Sequence, residues 1–216
     1  MKGIKFGNYH TFKDFGLIVK TREISAPTTK TNFVNVEGAD GSLDFTEAFG
    51  DVHYDRRELS FTVSSLVPRS EFWKTFSKVQ NTLHGREFHI TDDEDSNYYY
   101  IGRISIDKWS IDKVVGSFTI KCNCEPYKYH LQETKRIESI TGTKMLSFKN
   151  DRLSVTPILT ATSPMIIEFD GNIINITSSD VGKELYSSAI KFKEGNNIMK
   201  VSGEGTLTIR YQEGSL

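Results

Sequence analysis

The sequence predicts a mainly β protein with one α-helix. Apolar and polar residues alternate along three segments, and this period of two is typical of a strand with one buried face. The three segments are 59–63 (Leu-Ser-Phe-Thr-Val), 118–124 (Phe-Thr-Ile-Lys-Cys-Asn-Cys) and 206–211 (Thr-Leu-Thr-Ile-Arg-Tyr). Shorter strand-like runs occur at 33–36, 98–106, 145–148, 165–169, 172–177 and 189–192. Gly, Asn and Asp stand between these runs, as turns require.

One segment, roughly residues 70–84, has the periodicity of a helix instead. Its apolar residues recur at intervals of three and four and define one helical face: Phe72, Phe76, Val79 and Leu83. Ser70 is expected to cap the amino end, and Gly85 is placed to end the helix in a left-handed conformation. Trp73 is expected to widen the buried stripe.

A domain boundary is predicted near Pro126–Thr134, where the strand pattern ends and a polar stretch at 132–136 lacks strand periodicity. We therefore expect an amino-terminal domain over residues 1–130 and a carboxy-terminal domain over 131–216. The second segment is β-like throughout, with turns predicted at 170–171 (Asp-Gly) and 203–205 (Gly-Glu-Gly). Its length suits a small β-sandwich.

The 216-residue chain is nearly neutral, with 27 Lys and Arg against 28 Asp and Glu and a formal net charge of -1. It therefore has no overall electrostatic attraction for nucleic acid or anionic lipid. The first residues lack the apolar run of a signal peptide, and no stretch approaches the ~20 apolar residues that span a bilayer. We expect no membrane insertion, and synthesis in a cytoplasm where Cys122 and Cys124 are thiols.

Sequence motifs of catalysis and cofactor binding are absent. The chain contains no HExxH, no G-x-S-x-G, no P-loop and no G-x-G-x-x-G. The five histidines include no i, i+4 pair, and His89 is expected at a surface or a sheet edge. We expect no catalytic residue, no metal ligand and no cofactor.

Three other features allow a binding role beside a structural one. Cys122 and Cys124 share a strand face with apolar residues, which favours two buried thiols over half of a zinc site. The four carboxylates of 92–95 favour a solvated hairpin turn, with weak Ca²⁺ binding as the alternative. The tyrosines at 98–100, 127 and 129 could stack on a sugar, although neighbours on a strand point alternately in and out.

The most distinctive segment lies at 36–47, and a second short motif follows it at 54–57. The two combine turn glycines, carboxylates and an aromatic–arginine group: Gly38, Asp40, Gly41, Leu43, Asp44, Tyr54, Arg56 and Arg57. The glycines permit tight or left-handed backbone, and the carboxylates can accept hydrogen bonds from turn amides. Two interpretations stay open: a network that stabilises a loop within the subunit, or a surface that joins subunits. On a strand, Arg56 and Arg57 would face opposite ways, so at most one joins a given cluster.

This pair of motifs resembles the amino-terminal signature of bacteriophage distal tail (Dit) proteins, in which a glycine–x–Asp–Gly turn leads to Leu-Asp and then to a Tyr-x-x-Arg strand. Further pieces resemble the family in the same order, at 14–17, 83–86, 98–103, 126–127, 194–198 and 205–211. The resemblance covers most of the chain. Glu37 stands where the family often has proline, so this loop is expected to be less rigid.

The resemblance implies a β-sandwich or split-barrel-like amino-terminal domain with one helix, and a smaller galectin-like carboxy-terminal β-sandwich. It also implies a non-enzymatic homohexameric ring, formed head to tail through the amino-terminal domains at the distal end of a virion tail. Such a ring joins the tail tube to the tip and receptor-binding proteins of the same phage. DNA passes through its lumen without specific binding. The main alternative is a carbohydrate-binding module that attaches to host glycans, and a cell-wall hydrolase would require an acid–base set that the motifs do not supply.

Overall fold

The computed structural model describes residues 1–48, 50–111 and 115–216. They form two compact units, one comprising Met1–Lys128 with Leu216 and the other Tyr129–Ser215. Both units are built from antiparallel strands, so the prediction of a mainly β fold is confirmed. Among the described residues, no helix is both long and apolar enough to cross a membrane.

In the first unit, antiparallel pairing joins strands in the order β2-β1-β7-β8-β9-β6-β3, while β4 and β5 form a separate two-stranded sheet. In chain order the elements are β1 (Ile4–Phe6), β2 (Tyr9–His10), α1 (Thr11–Phe15), β3 (Leu17–Ile24), β4 (Phe33–Asn35), β5 (Ser42–Asp44), β6 (Arg57–Ser65), α2 (Arg69–Leu83), β7 (Glu87–Asp92), β8 (Tyr98–Ile111) and β9 (Gly116–Cys124). The register of β6 on β9 pairs Phe61 with Ile120 and Val63 with Phe118, and all four side chains are buried. The predicted alternation of these two strands is confirmed.

Helix α2 buries the face that its spacing predicted, since Phe72, Phe76, Val79 and Leu83 are its buried residues. The predicted cap is wrong, because the N-cap position is occupied by Pro68, which makes no side-chain hydrogen bond there. Proline suits this place because its missing N–H needs no partner at a helix start. Gly85 adopts φ +75°, and its N–H donates to the Ile104 carbonyl (2.8 Å), which turns the chain back to the sheet.

A second helix, α1, is five residues long and was not predicted. The His10 side chain replaces the usual Ser, Thr or Asp cap: its Nδ1 accepts hydrogen bonds from the N–H groups of Phe12 (3.1 Å) and Lys13 (3.2 Å). Gly16 ends the helix in the left-handed region at φ +64°. Sequence periodicity cannot reveal so short a helix, because it contains little more than one turn.

The second unit is organised around one long ribbon. Its elements are β10 (Lys128–His130), which begins at the unit boundary, β11 (Thr134–Asn150), β12 (Ile158–Ala161), β13 (Met165–Phe169), β14 (Asn172–Ile176), β15 (Leu185–Tyr186), β16 (Gly195–Tyr211) and β17 (Gly214–Ser215). Strands β11 and β16 pair along their whole length, from Thr134↔Tyr211 to Asn150↔Gly195. Strand β16 also pairs with β13 and β12, in the order β14-β13-β16-β12-β15.

The structure of the second unit overturns three sequence predictions. Gly203 and Gly205 lie inside β16 and not in a turn. A side chain at either position would overlap the chain between β12 and β13, which packs onto the backbone of these glycines. The polar stretch 132–136 enters β11 at Thr134, because pairing with β16 overrides its weak pattern. The run at 189–192 forms only an isolated bridge between Phe192 and Val155. The predicted Asp-Gly turn is confirmed, since residues 170 and 171 both have positive φ between β13 and β14.

We expect Gly116→Ala to destabilise the first unit by about 1–3 kcal/mol, because the added methyl group would overlap the ring of buried Phe72. The measurement is chemical denaturation of wild type, Gly116→Ala, Phe72→Leu and the double variant. Since Phe72→Leu removes the obstructing ring, the glycine substitution should cost less in that background. An equal cost in both backgrounds would contradict the packing described for this helix.

Candidate assembly surface

The chain leaves the main sheet of the first unit between β3 and β6 and forms a projecting arm. The last pair of the β3–β6 ladder is Ile24↔Leu59. Antiparallel hydrogen bonds then continue away from the sheet, from the Lys30 N–H to the His53 carbonyl (2.8 Å). The arm ends in the β4–β5 hairpin, where Val34 lies opposite Leu43. We call residues 33–47 the arm hairpin.

The turn of the arm hairpin depends on its two glycines. Gly38 and Gly41 adopt φ +83° and +79°, the left-handed backbone that they were expected to permit. The Ser42 hydroxyl donates to Asn35 Oδ1 (2.6 Å) across the strand pair just below the turn. The glycines are therefore required by the backbone of this turn, whatever its tip contacts.

One face of the arm hairpin is apolar and exposed. Val34 and Leu43 are directly opposite each other, and Phe45 follows Leu43 on the same face because side chains alternate along a strand. Their exposed fractions are 45%, 55% and 38%. Phe33, on the other face, is 58% exposed. A two-stranded hairpin with so much apolar surface in water is marginally stable by itself, so contact with another apolar surface would stabilise it.

The same segment is acidic. Residues 33–47 carry Glu37, Asp40, Asp44 and Glu47 and no Lys or Arg. Hydrogen bonds from the side chain and then the backbone N–H of Thr46 lower the pKa of the Asp44 carboxyl below its ordinary value. The arm hairpin is therefore an apolar face within a negatively charged segment.

The second motif lies at the base of the arm and uses its side chains inside the subunit. Arg57 is buried: it donates to the carbonyls of Ser25 (2.8 Å) and Pro126 (3.2 Å) and lies over the Tyr100 ring. Arg56 is exposed and reaches the Asn123 carbonyl (3.3 Å). Tyr54 packs edge-on against Tyr127, with ring centroids 6.0 Å apart.

The eight signature residues are thus divided by position. Five lie on the arm hairpin, while Tyr54, Arg56 and Arg57 lie where the arm joins the sheet. Both arginines donate to backbone carbonyls within the subunit. Arg57 belongs to a loop-stabilising network within the subunit, and the arm hairpin is the part available to another molecule.

A second exposed apolar surface was missed in the sequence. Trp73 on α2 and Trp109 on β8 contact each other edge to face, with ring centroids 4.5 Å apart. They are 48% and 49% exposed, so the expectation that Trp73 lies in the buried stripe is wrong. The β8–β9 register shifts between Asp107 and Ser110, and Lys108 there has φ +49°. This bulge sets the direction of Trp109, and sequence periodicity cannot reveal it.

The charges around this tryptophan pair are mostly positive. Arg69 lies one helical turn before Trp73, Lys74 follows Trp73, and Lys108 precedes Trp109. All three are exposed, against two exposed acids, Glu71 in the first turn of the helix and Asp107 beside Lys108. Asp107 also pairs with Lys121 (3.9 Å). The described surroundings of the tryptophan pair thus carry a small excess of positive charge, whereas the arm hairpin is acidic.

The acidic turn at 92–95 joins β7 to β8 as a hairpin, as predicted, but it is less solvated than expected. Asp92 is buried and pairs with Arg22 (2.8 Å), and Asp95 pairs with Lys128 (2.8 Å). Asp93 Oδ2 accepts hydrogen bonds from the His10 ring (2.9 Å) and the Gly3 N–H (2.8 Å). These partners occupy the carboxylates that a calcium ion would need.

The remaining candidates have structural roles. Cys122 and Cys124 are free, buried thiols, as expected, and burial raises the pKa of Cys124 to about 12. Tyr100 is buried, while Tyr99 stacks on the exposed ring of His89, with centroids 4.6 Å apart. The tyrosine run is therefore largely engaged within the subunit and does not form an open sugar-stacking platform.

No protein-family model and no curated protein sequence matches the chain. Among solved structures, it is similar to the crystal structure of the SPP1 Dit protein, described as a paradigm of the hub adsorption apparatus in phages that infect Gram-positive bacteria. The TM-score is 0.69 at 15% sequence identity, and the match covers 98% of this chain and 99% of that one. The chain therefore has the Dit fold, as the sequence resemblance implied.

We expect Asp93→Asn to destabilise the first unit at neutral pH. Burial opposes ionisation of Asp93, but the hydrogen bonds from His10 and Gly3 outweigh it and lower the carboxyl pKa. A carboxyl whose pKa is lowered by folding stabilises the protein above its unfolded pKa of about 3.9 and loses this effect as the pH falls through the folded pKa. The gap in melting temperature between wild type and variant should therefore shrink below about pH 4.

The control for this measurement is Asp170→Asn, at an exposed turn position. It should leave the melting temperature nearly unchanged across the same pH range. A gap for Asp93→Asn that stays constant down to pH values well below about 3.9 would contradict the role assigned to the ionised carboxylate.

Proposed function

We propose that this protein is a structural hub component of a bacteriophage tail tip that assembles as a homohexameric ring. The observation that carries the proposal is the match of both units to a phage hub protein over nearly the full length of each chain. The order of motifs along the sequence supports it independently. The activity is assembly, in which no covalent bond is made or broken.

The arm hairpin of one subunit is the element that holds its neighbour in this proposal. Its apolar face, with Val34, Leu43 and Phe45, docks on the exposed Trp73–Trp109 pair of the next subunit. Both surfaces belong to the first unit and expose large apolar side chains to solvent. Aromatic residues are typical anchors of protein interfaces, and burying these surfaces together removes both from water.

Charge complementarity supports the same pairing. Asp40 and Asp44 accompany the apolar face of the arm hairpin. Beside the tryptophans, three exposed cations, Arg69, Lys74 and Lys108, outnumber two exposed acids, Glu71 and Asp107. Opposite charges around two apolar centres steer the encounter and fix its register. The same charges disfavour contact between two arm hairpins, so the preferred association is head to tail.

Head-to-tail contacts of this kind use two different patches on each subunit, and they close into a ring when the rotation per subunit suits the number of copies. The last contact is intramolecular, so its effective concentration is high and a modest single contact suffices. The hairpin gains the packing that it lacks in the subunit. Formation of the ring therefore also stabilises the arm hairpin of each subunit.

In the tail, this ring is proposed to lie at the distal end, between the tail tube and the tip and receptor-binding proteins of the same phage. Its lumen continues the tube, and DNA passes through it. A net charge of -1 suits a conduit, since a strongly basic lumen would retain DNA by releasing its counterions. The second unit remains available to the tip or receptor-binding proteins.

Native mass spectrometry of the purified protein is expected to show a hexamer, and negative-stain images an annulus. Chemical cross-linking tests the proposed contact itself, with a short bis-maleimide on the double variant Asp40→Cys/Lys74→Cys. The native cysteines are buried and their thiol pKa values are raised, so they should not react. Cross-linking should produce a ladder that ends at six copies.

The matched control is Asp40→Cys/Ile173→Cys, because Ile173 is 67% exposed but lies in the second unit. It should give no ladder. The same cross-linking reaction is also carried out on purified tail tips, because ring formation could require other tail proteins. Only monomeric bands for Asp40→Cys/Lys74→Cys in both preparations would overturn the proposed interface.

Leu43→Asp is expected to weaken each subunit contact by about 2 kcal/mol or more, since it places a charge in the centre of the apolar face. Intrinsic fluorescence reports this directly, because the only two tryptophans of the chain, Trp73 and Trp109, lie in the proposed contact. Wild-type emission should shift to shorter wavelength as concentration rises, and the variant should need about 30-fold more protein for the same shift. Ile173→Asp should behave as wild type, and equal behaviour of the two aspartate variants would refute the assignment.

A further inference from the structure

The second unit contains a cluster of potential metal ligands that the proposed assembly does not use. His130, Asp151 and Glu213 each present one ligand atom, and these atoms lie within 4.8 Å of one another. All three residues belong to the unit Tyr129–Ser215. They come from three chain segments, and the separations in sequence hid them from motif reasoning.

The backbone holds the three segments together. The His130 N–H donates to the Glu213 carbonyl (3.0 Å), which joins the beginning of this unit to its end. The Leu153 N–H donates to the Gly214 carbonyl (2.9 Å), which brings the chain after β11 to the same place. The ladder of β11 and β16 has its two ends at Thr134↔Tyr211 and Asn150↔Gly195, and residues at both ends are near the cluster in sequence. The cluster is therefore fixed by main-chain hydrogen bonds and does not depend on flexible side chains meeting by chance.

The side chains are arranged as a nearly complete ligand set. His130 Nε2 lies 3.1 Å from Asp151 Oδ2, and Glu213 Oε1 accepts a hydrogen bond from the Thr134 hydroxyl. Within the described residues, neither carboxylate has a Lys or Arg partner within 4.0 Å. The His130 and Asp151 side chains are 32% and 38% exposed, so an ion can enter while part of the surrounding water is excluded.

Tyr211 ties the end of β16 to the end of β11 beside the cluster. Its hydroxyl donates to the Lys149 carbonyl (3.1 Å). Two carboxylates and one imidazole thus converge at a place where a bound cation would relieve their repulsion.

We propose that His130, Asp151 and Glu213 bind one divalent transition-metal cation, with zinc preferred. One imidazole nitrogen and two carboxylate oxygens suit zinc, which takes nitrogen and oxygen ligands in a tetrahedral set and accepts water as the fourth ligand. Calcium prefers six to eight oxygen ligands and is disfavoured by the imidazole. The cation clamps the start of the second unit, the end of β11 and the segment after β16.

Calorimetric titration of the full-length protein with zinc chloride tests the site. One zinc ion per chain should bind, and Asp151→Asn and Glu213→Gln should each weaken binding by about tenfold or more. These two substitutions keep the size of the side chains and remove one ligand charge each. His130→Ala should weaken binding at least as much. Calcium chloride in place of zinc should give at least tenfold weaker binding.

Two controls separate this site from adventitious binding. His89→Ala, which removes an exposed histidine of the first unit, and Asp170→Asn, which removes an exposed carboxylate of the second, should bind zinc as wild type does. The His130 imidazole signal in ¹H–¹⁵N spectra, identified among the five histidines by its loss in His130→Ala, should shift in step with the calorimetric stoichiometry. The proposal is overturned if zinc fails to bind, if the three ligand variants bind as wild type, or if the His130 signal does not move. None of these outcomes bears on the ring, whose tests use other residues.

Discussion

The register of the antiparallel ladder between β6 and β9 is the constraint on which the first unit depends. It places Phe61 opposite Ile120 and Val63 opposite Phe118, so that one face of the sheet is continuously apolar. A slip of one residue would turn every one of these side chains to the opposite face. Helix α2 covers this face, with Phe76 packed edge-on against Phe118 at 5.3 Å between centroids. The arm and the tryptophan pair take their positions from the same sheet, because the arm leaves beside β6 and Trp109 lies at the bulge within the β8–β9 ladder.

Against this well-buried core, the arm hairpin and the tryptophan pair are two places where the described part of the first unit exposes large apolar side chains in groups. Single exposed apolar residues are common on any protein, but a hairpin apolar along one face and two tryptophans in contact are not. The arm hairpin is acidic, and the described surroundings of the tryptophan pair carry a small excess of positive charge. Exposure and charge therefore distinguish these two surfaces from the rest of the first unit.

The two clusters of acidic side chains differ in how many of their carboxylates already have a cationic partner. Around the acidic turn, Asp92, Asp93 and Asp95 are paired with Arg22, His10 and Lys128, so their charges anchor the chain and are compensated within the subunit. At the start of the second unit, His130, Asp151 and Glu213 converge, and within the described parts of the chain neither carboxylate forms an ion pair with Lys or Arg. The sequence makes the first cluster look like the better cation site, because its four acids are consecutive. The structure reverses that order, since ligand geometry and existing partners matter more than proximity along the chain.

The sequence by itself determined the fold class, the strands with strict alternation, the buried face of α2 and the left-handed glycines of the arm hairpin. Each of these follows from local rules, namely side-chain periodicity and the backbone freedom of glycine. It could not determine that Trp73 lies outside the core, that Gly203 and Gly205 sit within a strand, or that the apolar face of the arm hairpin is exposed. A period of two indicates that the faces of a strand differ, but only the neighbouring strands decide which face is covered. In the same way, His130, Asp151 and Glu213 lie together because strands β11 and β16 pair over 17 residues, which brings the end of the unit beside its beginning. No local sequence pattern encodes this long-range contact.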